Sequence, residues 1–156
     1  MVGIDVGGPR KGFHAVALPK GAYLDTFASP EAPALAAWCI QVGARAVAID
    51  APCRWSRTGR ARPAERTLAG KVVSARRKGV VRRELLRAAG IAMQHLTNID
   101  VVDAALCALT AQALLARRFK AYGDAGEGFI VVPAWATTPT AGADPVEATA
   151  AGSVAC

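Results

Sequence analysis

The sequence predicts a single mixed α/β domain, on three observations. Short apolar runs bounded by Gly and Pro read as strands. Longer runs with helical spacing alternate with them. The order is three strands, helix, strand, helices and a last strand. The chain has 156 residues, of which 53% are hydrophobic, enough for one domain with a real core.

"VGIDV" (2–6) is a short apolar strand with Asp5 inside it, and "GGPRKG" (7–12) is the turn that follows. "FHAVALP" (13–19) resumes a strand, and "AYLDTFA" (22–28) is a third after the Lys20-Gly21 turn. Three strands joined by short turns predict an antiparallel meander. Ser29 is the expected N-cap of a helix with Pro30 at its first position, closed by Gly43. "ARAVAID" (44–50) is a strand that ends on Asp50 and is broken by Pro52. Parallel pairing of the Asp5 and Asp50 strands is expected, with the Pro30 to Gly43 helix as the crossover.

Residues 53–62 lack periodicity and read as a loop, and 63–69 as a short helix. "VVRRELLRAAG" (80–90) is an amphipathic helix closed by Gly90. Thr97 or Asn98 caps a further helix that runs to about Tyr122; it is apolar on nearly every side as far as Leu115, which predicts burial. "EGFIVVP" (127–133) is the last strand, which closes a single domain over 1–135. The Ala-, Thr-, Pro- and Gly-rich residues 136–156 read as a disordered tail.

No charge-free run of about 18 apolar residues is present, so no membrane span is expected. The N-terminus lacks a basic region followed by an apolar stretch, which predicts a cytoplasmic protein. The four cysteines (Cys39, Cys53, Cys107, Cys156) lie far apart and read as reduced thiols. The net charge of +7 is uneven: Arg54 to Arg87 holds 12 Lys or Arg against Glu65 and Glu84, while the remainder is net acidic. Such a segment suits a polyanion, and equally a solvated basic loop.

Four carboxylates stand in apolar settings: Asp5, Asp50, Asp100 and Asp103. Asp100 and Asp103 are three residues apart on one helix face, which Cys107 and Thr110 extend. Buried carboxylates are costly unless paired or bound to metal. Convergence of several would call for a divalent cation, and hard oxygen ligands select Mg²⁺ or Mn²⁺. Each acid also has a plain structural role open to it. Asp5 starts a turn, Asp50 ends a strand, and Asp100 completes a capping box with Thr97. Asp103 lies too deep to cap, so its alternative is a hydrogen-bonded core Asp. His14 and His95 lack ligand spacing and read as structural.

"GIDVGGPRKGFHAVAL", "AIDAPCRW", "RPAER", "KGVVRRELLRAAGI", "DVVDAALCALTA" and "GEGFIVVPA", in that order over residues 3 to 134, resemble the domain of unknown function (DUF) 429 family, predicted nucleases with an RNase H-like fold. The resemblance implies an RNase H-like mixed sheet, a three-strand antiparallel meander plus parallel strands, flanked by helices. It implies that Asp5, Asp50 and Asp103 are catalytic and, with Asp100, hold Mg²⁺ or Mn²⁺. Glu127 matches a less strictly placed acid. The middle region, 66–78, is shortened relative to the family, whose members carry a further Glu-bearing strand there; Glu65 is the acid at hand to compensate.

The function expected is a metal-dependent nuclease. Nucleic acid would be gripped by the basic segment, through Arg54, Arg57, Arg60, Arg62, Arg66, Arg82 and Arg83. The competing expectations are a catalytically inactive nucleic-acid-binding or interaction module of the same fold, and a sugar-kinase-like or actin-like nucleotide-binding fragment. The last opens with a similar Asp-x-Gly-Gly but needs two domains, for which the chain is too short. Gly3, Gly7 and Gly8 do not fit the dinucleotide fingerprint.

Overall fold

The computed structural model describes residues 1–8, 10–19, 23, 25–51, 56, 59–69 and 78–134. The Lys20-Gly21 turn, Arg54, Arg57, most of the shortened middle region and the expected tail lie outside those residues. Strands β1 (Val2–Val6), β2 (Phe13–Ala17) and β3 (Asp25–Ser29) form the predicted meander. Helix α1 (Ala32–Gln41) then crosses to β4 (Val47–Asp50), which pairs with β1 in parallel. The result is a four-stranded mixed sheet in the order β3-β2-β1-β4. The short helix α2 (Pro63–Leu68), α3 (Lys78–Ala88) and α4 (Ile99–Leu115) follow, with a 3-10 turn at Met93–His95 before α4. The chain then forms a hairpin of β5 (Phe119–Asp124) and β6 (Gly128–Pro133).

The sheet carries a different core on each face, because successive side chains of a strand alternate. Val2, Ile4, Ala15 and Ala17 point to one side and pack under Leu35, Trp38 and Cys39 of α1, with Phe27 stacked on Trp38 at 5.5 Å. Val16 and Leu18 belong to the opposite core with Leu86 of α3 and Val102, Ala104, Ala105 and Ala108 of α4. The burial expected for α4 is found, and small residues on its sheet-facing side permit a close approach.

Gly3 shows how close that approach is. A Cβ built on Gly3 would lie 2.0 Å from the Ala104 carbonyl oxygen and 2.0 Å from the Ala108 nitrogen. No side chain fits between β1 and α4 at this point. Glycine therefore fixes their separation, and with it the distance between anything carried further along either element.

Three local expectations are corrected. Helix α1 begins at Ala32, with Pro33 in its first turn, rather than at Pro30. A start at Pro30 would have required an N–H at position 33 to reach Ser29, and Pro33 has none. Ser29 Oγ accepts from the Glu31 N–H at 3.0 Å, outside the helix. Helix α4 is capped by Asn98, whose side chain accepts from the Val101 N–H at 2.9 Å, so Asp100 is not part of a Thr97 capping box. Finally, α4 ends at Leu115 rather than near Tyr122, because Arg117 turns into the left-handed region at φ 54 and β5 begins two residues later.

Among the described residues no helix is long and apolar enough to cross a membrane. Cys39 and Cys107 are free thiols, as expected; Cys53 and Cys156 lie outside the described residues.

Candidate functional site

Asp5 lies two residues beyond Gly3, on the same face of β1, and so faces α4. Its register partner in the parallel strand β4 is Asp50, and in the antiparallel strand β2 it is His14. Register partners share a face of the sheet. Asp50, Asp5 and His14 therefore form a row across three strands, spaced by about 4.8 Å per strand. Gly3 touches α4 between Ala104 and Ala108. Asp5, about 7 Å further along the strand, lies near the preceding turn of the helix, where Asp100 and Asp103 reside.

The electrostatics agree with this placement. The Asp5 carboxyl is pushed above the ordinary range by burial first, then by the charges of Asp100 and Asp50, against the pull of His14 and Lys11. The Asp103 carboxyl is raised by burial, which the Arg82 guanidinium opposes and the charges of Asp5 and Asp50 reinforce. The Cys107 thiol, one helical turn on, is pushed up to about 12 by burial and then by Asp50, Asp5 and Asp103. Asp5 thus feels Asp100 and Asp50, Asp103 feels Asp5 and Asp50, and Cys107 is held as a neutral thiol.

Two side chains of the fold already answer part of this negative charge. Lys11 Nζ, at the end of the β1–β2 turn, donates to both oxygens of Asp100 at 2.9 and 3.1 Å. Gly12 at φ 67 returns the chain, and its carbonyl accepts the Gly7 N–H at 2.8 Å. His14 Nε2 lies 3.9 Å from Asp100. Arg82, from α3, donates through Nη1 to Asp103 Oδ2. The second oxygen of Asp103, Oδ1, is buried and has no hydrogen-bond partner. Asp5 and Asp50 make no ion pair among the described residues.

The structure therefore brings Asp5, Asp50, Asp100 and Asp103 to one junction between the sheet and the N-terminal half of α4. It does not bring the supporting acids there. Glu65 lies on α2, where it accepts from the Arg62 backbone N–H at 2.8 Å and from the Arg62 guanidinium at 2.7 and 3.0 Å. Glu127 lies in the β5–β6 turn, where Asp124 Oδ1 accepts its backbone N–H at 2.8 Å.

Of the basic residues singled out, Arg54 and Arg57 lie outside the described residues, and four of the others bond groups of the chain itself. Arg62 is buried, at 7% exposure, and serves the α2 cap. Arg66 donates to the Ala61 carbonyl, and Arg83 to the Leu96 carbonyl at 3.0 Å. Arg82 holds Asp103. Arg60 is exposed. Sequence reasoning missed Gly3, Lys11 and His14 as parts of the site. The signal was available for two of them: Gly3 shares the parity of Asp5, and a short meander turn places His14 across from Asp5.

The donors are all carboxylate oxygens, the set that suits a hard divalent cation. One of them, Asp103 Oδ1, is buried without a partner, as an uncompensated ligand would be. Among the described residues, however, no group of three or more His, Cys, Asp or Glu is arranged closely enough to hold a metal as it stands.

A family model described as "Protein of unknown function (DUF429)" matches residues 3–89. The match takes in Asp5, Asp50, Glu65 and Arg82 and stops short of α4. No curated protein and no solved structure matches the chain.

Proposed function

The chain belongs to the DUF429 family of proteins of unknown function, and from that premise we propose that it is a metal-dependent phosphodiester hydrolase acting on nucleic acid. One observation carries the reading. Asp5 and Asp50 are neighbours across parallel strands, under a helix that supplies Asp103 with one buried oxygen unpartnered. Mutually repelling carboxylates raise each other's pKa, and a divalent cation relieves that repulsion more fully than a proton.

In this reading Asp5, Asp50 and Asp103 hold Mg²⁺ or Mn²⁺, and Asp100 orients the group through Lys11. Bound there, the metal would supply Lewis acidity to a phosphate oxygen and lower the pKa of a water. The chain's own part is geometric. Gly3 sets the strand-to-helix spacing, Asp103 projects from a buried helix, and Asp50 is exposed on β4, the end strand of the described sheet, on the side proposed for the substrate.

The test is cleavage of end-labelled DNA and RNA oligonucleotides with Mg²⁺, with Mn²⁺ and with EDTA. Cleavage is expected with either metal, absent with EDTA, and lost in the double variant Asp5→Asn with Asp103→Asn. Persistence of cleavage in that variant would remove the metal-site reading. A second reading, a nucleic-acid-binding module of this fold without catalysis, is favoured by one feature, the Arg82 guanidinium that already answers Asp103. Oligonucleotide binding with no cleavage under any metal would select it.

A further inference from the structure

Arg82 stands where two roles meet. Its guanidinium bonds one oxygen of Asp103 while the other oxygen stays buried and bare. Arginine does not lose its proton in a protein, so it leaves an anion only by exchange for another partner or for water. Buried Leu86 and the bond from Arg83 to the Leu96 carbonyl anchor α3 beside Arg82. Rotation of the Arg82 side chain is therefore the movement that disturbs the least packing. With 30% of its side chain exposed, Arg82 has an open side toward which to rotate.

Asp100 carries a tethered cation too, but the Lys11 side chain is 58% exposed, so water screens that pair more strongly. The strand acids Asp5 and Asp50 carry none among the described residues. Among the described residues the chain's cations thus bond the helix half of the acidic group and form no ion pair with the strand half.

We propose that Arg82 is a two-position residue, bound to Asp103 in the cation-free chain and released to a non-bridging phosphate oxygen of the substrate when a divalent cation takes its place. The inference rests on the metal-dependent reading above. A divalent ion among these carboxylates repels the guanidinium by like charge and satisfies Asp103 in its stead. The planar fork of a freed guanidinium matches a phosphate in bidentate fashion. Arg82 then contributes opposite terms to two equilibria: it opposes metal binding, and it favours substrate binding once metal is present.

Both terms are read in binding, without activity. Isothermal titration with Mn²⁺ is compared for the wild type, Arg82→Ala, Arg82→Lys, Lys11→Ala and Asp103→Asn. Arg82→Ala is expected to tighten Mn²⁺ by about fivefold to tenfold, and Lys11→Ala by less than threefold, roughly in the range that separates partly buried from exposed pairs. Binding of a fluorescent single-stranded oligonucleotide is then measured by anisotropy, in Ca²⁺ and in EDTA. Arg82→Ala should weaken it by about fivefold in Ca²⁺ and leave it unchanged in EDTA, the loss of one charge-assisted contact.

Arg82→Lys covers the case in which the alanine variant does not fold. It should bind Mn²⁺ as the wild type does and lose oligonucleotide affinity in Ca²⁺. Mn²⁺ binding that needs Asp103 but is not tightened by Arg82→Ala overturns the inference and leaves the metal reading standing. Equal loss of oligonucleotide affinity in Ca²⁺ and EDTA also overturns it, since Arg82 would then be an ordinary phosphate contact. Absence of Mn²⁺ binding in both wild type and Arg82→Ala removes the metal reading itself.

Discussion

Two residues that look ordinary in the sequence decide the most about the acidic junction. Gly3→Ala places a methyl group against the backbone of α4, with no flexible side chain to yield. The helix must shift, at a cost of about 3 kcal/mol by analogy with overpacked cores. Urea denaturation should record that loss, and a displaced Asp103 should weaken Mn²⁺ binding in whatever fraction folds. Cys107 gives a pH signature. Its thiol is held neutral up to about 12, whereas an unfolded thiol ionises near its ordinary value of 9.0. The folded state therefore binds the proton more tightly, and stability is full below pH 9 and falls as pH rises toward 12. Melting temperature measured from pH 8 to 11 should fall more steeply in the wild type than in Cys107→Ala. The same sign applies to Asp5, whose raised pKa means that its charge opposes folding at neutral pH. Asp5→Asn should then stabilise the metal-free protein in urea denaturation. The acids themselves were legible, since an Asp inside an apolar run is a visible anomaly. The partners were not, because Lys11 and Arg82 meet Asp100 and Asp103 across separations that only the register of the meander and the docking of α3 create.

At the scale of elements, three helices end in the same way. The Gly43 and Ala44 N–H groups bond the Ile40 and Cys39 carbonyls, the Gly90 and Ile91 groups bond Arg87 and Leu86, and the Arg117 and Arg118 groups bond Leu114 and Ala113. Each is a Schellman closure around a residue of positive φ, at 65, 77 and 54 respectively. The first two announce themselves by glycine, and the ends of α1 and α3 were legible for that reason. The third uses arginine, so the sequence carries no stop signal there, and the helical pattern extends on paper across what is β5. The chain closes the helix in spite of a local cost, because β5 gains a full ladder with β6. That cost can be recovered: Arg117→Gly should stabilise the fold by about 1 kcal/mol, the penalty of a left-handed residue with a Cβ. Gly43→Ala, in open space, should destabilise it by a similar amount for the same reason. Thermal melts of the two variants should therefore move in opposite directions. A fall in both would mean that the Arg117 side chain makes a contact worth more than its strain.

The molecule as a whole separates its charge, though not as composition alone suggests. Parallel pairing of β1 with β4 was legible, because the helix after the meander is a crossover that can return the chain beside its first strand. The basic segment was legible only as a total. Once folded, Arg62, Arg66, Arg82 and Arg83 bond groups of the chain itself, while Lys78 and Arg87 stand exposed on α3. A second group of exposed cations, Arg117, Arg118 and Lys120, lies at the corner between α4 and β5. The two groups differ in their relation to the acids. Helix α3 carries Arg82 onto Asp103, and Lys78 and Arg87 lie four residues before Arg82 and five after it on the same helix. The corner lies beyond the far end of α4, and the helix from Asp103 to Leu115 alone spans about 18 Å, well over a screening length of about 8 Å at physiological salt. A short single-stranded oligonucleotide seated at the acids should therefore feel α3 and not the corner. Replacing Lys78 and Arg87 together by Ala should lower the slope of log affinity against log salt by about 1.4, two phosphate contacts on a single strand. The paired change of Arg118 and Lys120 to Ala should leave that slope where it was. Anisotropy titrations from low to moderate salt separate the two. The opposite ranking would place the nucleic acid at the α4–β5 corner, and the acidic junction would lose its claim on the substrate.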